Sequence, residues 1–286
     1  MRWTPGGSSE DVEDQRGSSG GGGFGGGPLP KLGIGGFLIL LLLSFIFKKD
    51  FFALIGGGGS PGGAPAQTLP RASSPEEDKL AQFVTFVLND DQKAWTEIFA
   101  KSGKTYRHAK LVLFTNTTHS GCGFAETAMG PFYCPADEKV YIDLGFYREL
   151  KDRFGAPGEF AEAYVIAHEL GHHVQKLLGI SDQVARLQQQ NPRRANQLSV
   201  PLELQADCFA GVWGYTAKQH DILDPGDLDD GLRAAAAVGD DRIQKQATGQ
   251  VNPETWTHGS SEQRARWFKT GFDSGDMGRC DTFSGR

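Results

Sequence analysis

The sequence predicts an α+β fold that is mainly helical with a small sheet, preceded by a disordered tail and one transmembrane helix. Three observations predict it. The N-terminal part is rich in glycine, a continuous apolar stretch follows, and residues 75–286 combine several amphipathic helical patterns with two short β-type runs. The net charge of −6 over 286 residues argues against a nucleic-acid partner, because such proteins usually carry a basic face.

The N-terminal part divides into three predicted segments. Residues 1–30 are expected to be a disordered Gly-rich tail, because they bury too little apolar surface to offset the chain entropy. Residues 31–55 are expected to be a membrane anchor. As a helix, the apolar run 32–47 spans about 24 Å, and the further apolar run 51–55 extends it towards the hydrocarbon thickness of about 30 Å. Residues 56–74 are a Gly/Pro/Ser linker.

The alternative for the apolar run is a cleaved signal peptide. A signal peptide begins with a short basic region, whereas here a long glycine-rich stretch comes first, so an uncleaved single-pass anchor is favoured. The lysines on the two sides of the run balance, so charge does not decide the orientation.

The predicted domain at 75–286 begins with a helix. Ser74, Pro75 and Glu77 form a capping-box pattern, and apolar residues at helical spacing follow. A second helix is expected around Trp95, Ile98 and Phe99. The runs 111–114 and 140–143 are predicted strands, with a loop between them that carries two cysteines.

Helical patterns dominate the remainder of the domain. One helix is predicted to begin after Pro157 and to extend to Leu178. A second helix is expected to begin at Ser199 and Pro201 and to continue through Tyr215. The chain from there to residue 286 is predicted to be mostly helical.

The four cysteines of the domain are not arranged in C-x-x-C pairs, which argues against a thiolate zinc site. Cys122 and Cys134 bracket a Gly/Pro-containing loop that a disulfide would close, and Cys208 would then pair with Cys280. Four buried thiols in a cytosolic protein are the alternative. The membrane segment favours disulfides and a domain outside the cytoplasm.

His168, Glu169 and His172 form an H-E-x-x-H pattern within a predicted helix. Histidines four residues apart project from one helix face and can hold one zinc ion, while the glutamate lies over the open coordination position. A third ligand is expected downstream, where Glu203 and Asp207 are also four residues apart. Glu203 is the predicted ligand, and Asp207 is the predicted acceptor for the free ring N–H of a zinc-bound histidine.

The alternative for Glu203 and Asp207 is an exposed acidic helix face. Their neighbours are apolar, which favours a buried helix whose carboxylates need a partner.

These motifs together resemble a known family. H-E-x-x-H on one helix with E-x-x-x-D on a later one is similar to the gluzincin metallopeptidases. More narrowly, the chain resembles the bacterial putative neutral zinc metallopeptidase family over nearly its whole length. The matching pieces are Arg2-Trp3, the acidic stretch 10–16, the Gly-rich and apolar segments, 120–123, 130–135, 168–175, 203–213 and 258–261. The resemblance implies a membrane-anchored, zinc-dependent, zincin-like peptidase domain.

The predicted reaction is peptide-bond hydrolysis with one Zn²⁺ and Glu169 as general base. His258, supported by Arg264, is the candidate donor for the oxyanion, with Tyr215 and His220 as rivals and a structural histidine as the alternative. His173 is expected to be packed or at the surface, and no role is assigned to His108 or His119.

The predicted partners are a protein or peptide substrate, aligned by a sheet edge, and the lipid bilayer. The expected location is the cell membrane, with the catalytic domain on the periplasmic side. Two alternatives remain: a catalytically silent membrane-anchored scaffold that keeps a zinc site, and an amidase acting on a non-protein or cell-wall peptide.

Overall fold

A four-stranded sheet lies against a set of helices in the computed structural model, which describes residues 1–17 and 73–284. The strands are β1 (Val12–Asp14), β2 (Lys110–Phe114), β3 (Thr117–Ser120), β4 (Gly123–Glu126), β5 (Phe132–Cys134) and β6 (Lys139–Asp143). The helices are α1 (Pro75–Lys101), α2 (Gly145–Asp152), α3 (Glu159–Leu177), α4 (Ile180–Gln190), α5 (Ala195–Gln219), α6 (Asp227–Ala237), α7 (Asp240–Thr248) and α8 (Ser261–Ser274). The predicted α+β class with mainly helical content is confirmed.

The main sheet has the order β1-β2-β6-β5. β1 and β6 both run parallel to β2, whereas the edge strand β5 runs antiparallel to β6. β3 and β4 form a separate antiparallel hairpin. Both strands predicted from the sequence, 111–114 and 140–143, lie at the centre of the main sheet, because their apolar side chains are buried there.

The N-terminal segment differs from the prediction of a disordered tail at 1–30. Residues 12–14 form β1, which is paired with β2. The acidic residues of this stretch are held by basic partners on the domain, such as Glu13 by Lys139 at 2.8 Å. The prediction is therefore wrong for residues 1–17, because long-range pairing supplies the stabilisation that the local composition lacks.

The predicted anchor at 31–55 lies outside the described residues. So does the predicted linker at 56–74, except for its last two residues. Within the described ranges, none of the helices is both long enough and apolar enough to span a bilayer.

Two helix boundaries also differ from the prediction. The two helices expected between residues 75 and 101 are one continuous helix, α1, with Asp91 fully buried in its middle. The helix expected to open at Ser199 and Pro201 begins at Ala195, so Pro201 lies inside α5. Ser199 is not an N-cap here, since its hydroxyl donates to the carbonyl of Ala195 at 3.1 Å.

The core is centred on α3, which packs against α1, α5 and α6. α5 in turn packs closely against α8, where a methyl group added at Gly271 would collide with the carbonyl oxygen of Cys208. The two predicted disulfides, Cys122–Cys134 and Cys208–Cys280, are both present. The second disulfide fastens the C-terminal segment to α5.

Candidate metal centre

Three potential metal ligands meet between α3 and α5. His168 and His172 project from one face of α3, and Glu203 approaches them from the beginning of α5. One ligand atom from each of the three residues lies within 4.8 Å of the other two. The Oε2 atom of Glu203 is 3.2 Å from Nε2 of His168 and 3.5 Å from Nε2 of His172. The structure therefore brings together the three residues that the H-E-x-x-H and E-x-x-x-D motifs predicted as ligands.

These separations suit a zinc ion. With bonds of about 2.0–2.1 Å from zinc to nitrogen or oxygen, tetrahedral ligand atoms lie about 3.3 Å apart. The two measured separations, 3.2 Å and 3.5 Å, lie close to that value. Two imidazole nitrogens and one carboxylate oxygen also form the donor set of many catalytic zinc sites, which leave the fourth position open.

Gly171 allows α5 to reach the site. It lies between the two histidines on α3, and a Cβ atom there would stand 2.9 Å from the backbone oxygen of Ala206. Because glycine has no side chain, the backbones of α3 and α5 can approach at this point. The glycine inside the H-E-x-x-H segment thus helps to set the distance between the histidines and Glu203.

His168 is oriented by a buried charged network. Its Nδ1 atom is 2.9 Å from Oδ1 of Asp207, which also accepts a hydrogen bond from the hydroxyl of Tyr164. Arg264 on α8 donates from Nε to Oδ2 of Asp207 at 2.8 Å and from Nη2 to Oδ1 at 2.9 Å. Asp207 is fully buried and Arg264 nearly so. Since Nδ1 donates to Asp207, Nε2 of His168 faces the metal position.

His172 is oriented by neutral amides. Its Nδ1 atom is 2.9 Å from Oε1 of Gln175, one turn further along α3. The amide nitrogen of Gln175 donates to the carbonyl of Leu202 at 2.6 Å and to Oε1 of Gln205 at 3.2 Å. Gln205 donates onward to the carbonyl of Cys280 at 2.9 Å. These hydrogen bonds orient the amide of Gln175 so that its Oε1 atom accepts a hydrogen bond from Nδ1 of His172. Nε2 of His172 therefore also faces the metal position.

The electrostatics of the site favour bound positive charge. Burial alone would lower the pKa of His168, but the carboxylates of Asp207 and Glu203 outweigh it and raise that pKa to about 9. Burial alone would raise the pKa of Glu203, but His172 and His168 outweigh it and hold that pKa well below the usual value. A cation in place of the histidine protons would satisfy the same carboxylates, because metal binding displaces protons from its ligands.

The two predicted catalytic residues occupy different surroundings. Glu169 is buried next to His168 on α3. His258 lies in the loop before α8 and is half exposed, with Nδ1 3.2 Å from Oδ1 of Asp240. Asp240 also accepts hydrogen bonds from three successive backbone N–H groups, those of residues 257, 258 and 259. This carboxylate therefore holds the loop that presents His258.

Arg264 does not support His258 in the way that the sequence suggested. Its guanidinium hydrogen bonds go to Asp207, to the hydroxyl of Tyr164 at 3.1 Å and to the carbonyl of Val238 at 3.1 Å. The correction follows from α8 packing against α5, which brings Arg264 to Asp207.

The remaining candidates lie away from the metal position. Tyr215 and His220 are on or just after the far end of α5, about 18 Å and about 25 Å from Glu203 along the helix, so neither can donate to an oxyanion there. His173 is fully buried between the hydroxyl of Tyr133 at 3.0 Å and the carbonyl of Arg107 at 2.6 Å, packed as expected. His108 pairs with Asp11, and His119 lies on β3.

Comparison with known proteins places this geometry in a family. A family model described as putative neutral zinc metallopeptidase matches residues 1–283. The chain belongs to this family. It is 50% identical over 287 aligned positions to the uncharacterized protein YpfJ of Escherichia coli strain K12, covering 99% of each chain.

A mycobacterial protein is similar over a shorter part of the chain. The chain is 50% identical over 190 positions to the uncharacterized protein Rv2575 of Mycobacterium tuberculosis strain H37Rv, and the alignment covers 63% of this chain and 64% of that protein. No solved structure matches the chain, so the zincin-like topology stays a prediction.

Sequence reasoning missed three residues of the site. Tyr164 precedes His168 by one turn, and Gln175 follows His172 by three positions, so helical spacing could have identified both as neighbours of the ligands. Asp240 had no such signal, because it meets His258 only through the packing of α7 beside the loop before α8.

Proposed function

We propose that the protein is a membrane-associated zinc metallopeptidase that hydrolyses peptide bonds, with one Zn²⁺ held by His168, His172 and Glu203. One observation carries the proposal. Three ligand atoms converge to within 4.8 Å, while the second ring nitrogen of each histidine is already bonded to Asp207 or Gln175. Such outer partners hold ligand histidines in the orientation and tautomer that a metal needs.

A zinc ion bound there would polarise the substrate carbonyl and lower the pKa of a water molecule towards neutrality. Glu169 would serve as the general base: its carboxylate would accept a proton from the attacking water and pass it to the leaving amine. Its burial beside His168 supports this role, because a carboxylate removed from bulk water exchanges protons with the reacting groups instead of with solvent.

His258 is the proposed donor to the developing oxyanion. Burial alone would lower its pKa, but Asp240 and the nearby charge of Glu203 outweigh it and raise the pKa of the imidazole. The influence of Glu203 supports a position of His258 at the rim of the site. With Nδ1 donating to Asp240, the protonated imidazolium carries a second N–H on the opposite nitrogen, which can donate to the substrate oxyanion.

The edge strand β5 is the proposed template for the peptide. It is one of the two outer strands of the main sheet, and Tyr133 on β5 contacts His173 on α3, next in sequence to a proposed ligand. An extended substrate could add to this edge by backbone hydrogen bonds. This placement favours a peptide substrate over the scaffold and small-molecule alternatives.

The proposed location is the cell membrane, with the domain on the periplasmic side and the apolar segment within 31–55 in contact with lipid. The two disulfides support an oxidising compartment, because thiols in the cytosol are kept reduced.

The deciding experiment compares cells that express the wild type with cells that express Glu169→Gln, by mapping new protein N-termini. We expect termini that appear with the wild type and are absent with the variant, while both purified proteins hold equal zinc. Glu97→Gln, an exposed position on α1, is the matched control and should behave as wild type. Equal termini from Glu169→Gln would refute the mechanism. Zinc binding without any specific termini would favour the scaffold or the amidase.

A further inference from the structure

The chain leaves and re-enters the described structure at one place on its surface. Residue 17 is the last described residue before the segment 18–72, and residue 73 is the first after it. Nη1 of Arg16 donates to the backbone carbonyl of Glu77 at 3.0 Å, and Nη2 lies 3.3 Å from Oδ1 of Asp78. The described residues on the two sides of the segment 18–72 therefore lie side by side.

The N-terminal segment is part of the same folded unit as the domain. β1 pairs with β2 in parallel register, with Val12 opposite Leu111. Asp11 extends the attachment, because its carboxylate accepts hydrogen bonds from Lys110 at 2.9 Å and from Gln92 at 3.1 Å.

The beginning of the segment is attached equally well. The indole N–H of Trp3 donates to Glu159 on α3 at 3.1 Å, and its ring lies 5.3 Å from that of Phe83 on α1. The backbone N–H of Arg2 donates to the carbonyl of Ile222 at 2.7 Å. Residues 2–16 thus contact the sheet, α1, α3 and the loop after α5.

These contacts are incompatible with one membrane crossing between residues 17 and 73. A single crossing would place β1 and β2 on opposite sides of a hydrocarbon layer of about 30 Å. A second copy could not supply the missing strand, because its β1 would also lie on the far side.

We propose that residues 1–17 and residues 73–284 lie on the same side of the membrane, because β1 and β2 pair within one folded unit. The N-terminal segment and the domain then share one compartment. This replaces the single-pass topology predicted from the sequence. The proposal rests on the membrane location proposed above and is independent of the chemistry at the metal site.

The test uses two variants of the full chain that each add one cysteine, Ser8→Cys in the N-terminal segment and Ala185→Cys in the domain, both at exposed positions. Protoplasts and lysed protoplasts are treated with a membrane-impermeant maleimide, and the wild type supplies the background. We expect the same pattern at both positions: either both react before lysis or both react only after it. Reaction of one position before lysis and of the other only after it would overturn the proposal.

A second measurement tests whether the two described parts hold together without a membrane crossing between them. Deletion of residues 32–55 removes the apolar run, so the protein should move from the membrane fraction to the soluble fraction. The melting temperature and zinc content should match the wild type, since the two described parts already meet at Arg16 and Glu77. A variant that no longer folds would contradict the proposal, and one that stays with the membrane would contradict the proposed anchor. Neither result depends on peptidase activity.

Discussion

The two histidines of the metal centre are held by different chemistry. Behind His168 lies a buried ionic network in which Asp207 on α5 is bonded to Arg264 on α8. Behind His172 lies a chain of neutral amides that begins with Gln175 on the same helix. The first arrangement joins three helices through charges, whereas the second joins α3, α5 and the C-terminal segment through neutral groups.

This difference has energetic consequences. A buried ion pair stabilises little relative to an apolar pair, but the loss of one member leaves an uncompensated buried charge. A neutral amide that loses its partner costs only its own desolvation. The His168 side should therefore determine whether the domain folds, while the His172 side should mainly tune metal affinity.

The largest effect is expected for Arg264→Met. This change leaves the carboxylate of Asp207 buried without its guanidinium, so the free energy of unfolding should fall by about 3–5 kcal/mol. Urea unfolding of the zinc-free protein measures it. Arg266→Met, at an exposed position of the same helix, is the matched control and should change stability by less than about 0.5 kcal/mol. Equal stabilities of the two variants would show that the ionic network does not support the fold.

A smaller effect is expected for Gln175→Leu. The change removes the acceptor for Nδ1 of His172, so zinc affinity should fall by about 10- to 100-fold, as is typical when an outer partner of a ligand is lost. Competition with a chelator measures the affinity. Gln189→Leu, an exposed position on α4, should leave it unchanged. If Gln175→Leu lowers the free energy of unfolding as much as Arg264→Met does, the two histidines are not supported in energetically different ways.

The smallest effect concerns pH. In the zinc-free protein, against the effect of burial, the carboxylates of Asp207 and Glu203 raise the pKa of His168 from its ordinary value of 6.5 to about 9. A raised pKa contributes stability that is complete below pH 6.5 and is lost as pH rises through about 9. From pH 7 to pH 8 the zinc-free protein should therefore lose about 1 kcal/mol. Thermal unfolding of zinc-loaded protein, where the metal replaces the proton, should not show this decrease.

Much of the metal centre was predictable because its motifs are local. The spacing of His168 and His172 places them on one helix face, and the spacing of Glu203 and Asp207 does the same on α5. The boundaries of α5 were less predictable, since Pro201 suggested a start that the packed helix passes through. The N-terminal segment was predicted wrongly, because its glycine-rich composition says nothing of a sheet edge that residues 12–14 can join.

The sequence by itself determined the helical class, the two strands at the centre of the sheet and the ligand motifs. These follow from periodicity and spacing over a few residues. The sequence favoured disulfides Cys122–Cys134 and Cys208–Cys280, but the folded structure selected them over the other connectivities. Only the tertiary structure decided that Arg264 pairs with Asp207, 57 positions away, and that β1 pairs with β2. Such contacts depend on how whole elements pack, and no short-range pattern specifies them. For the same reason, only the folded structure places Arg16 beside Glu77, 61 positions away.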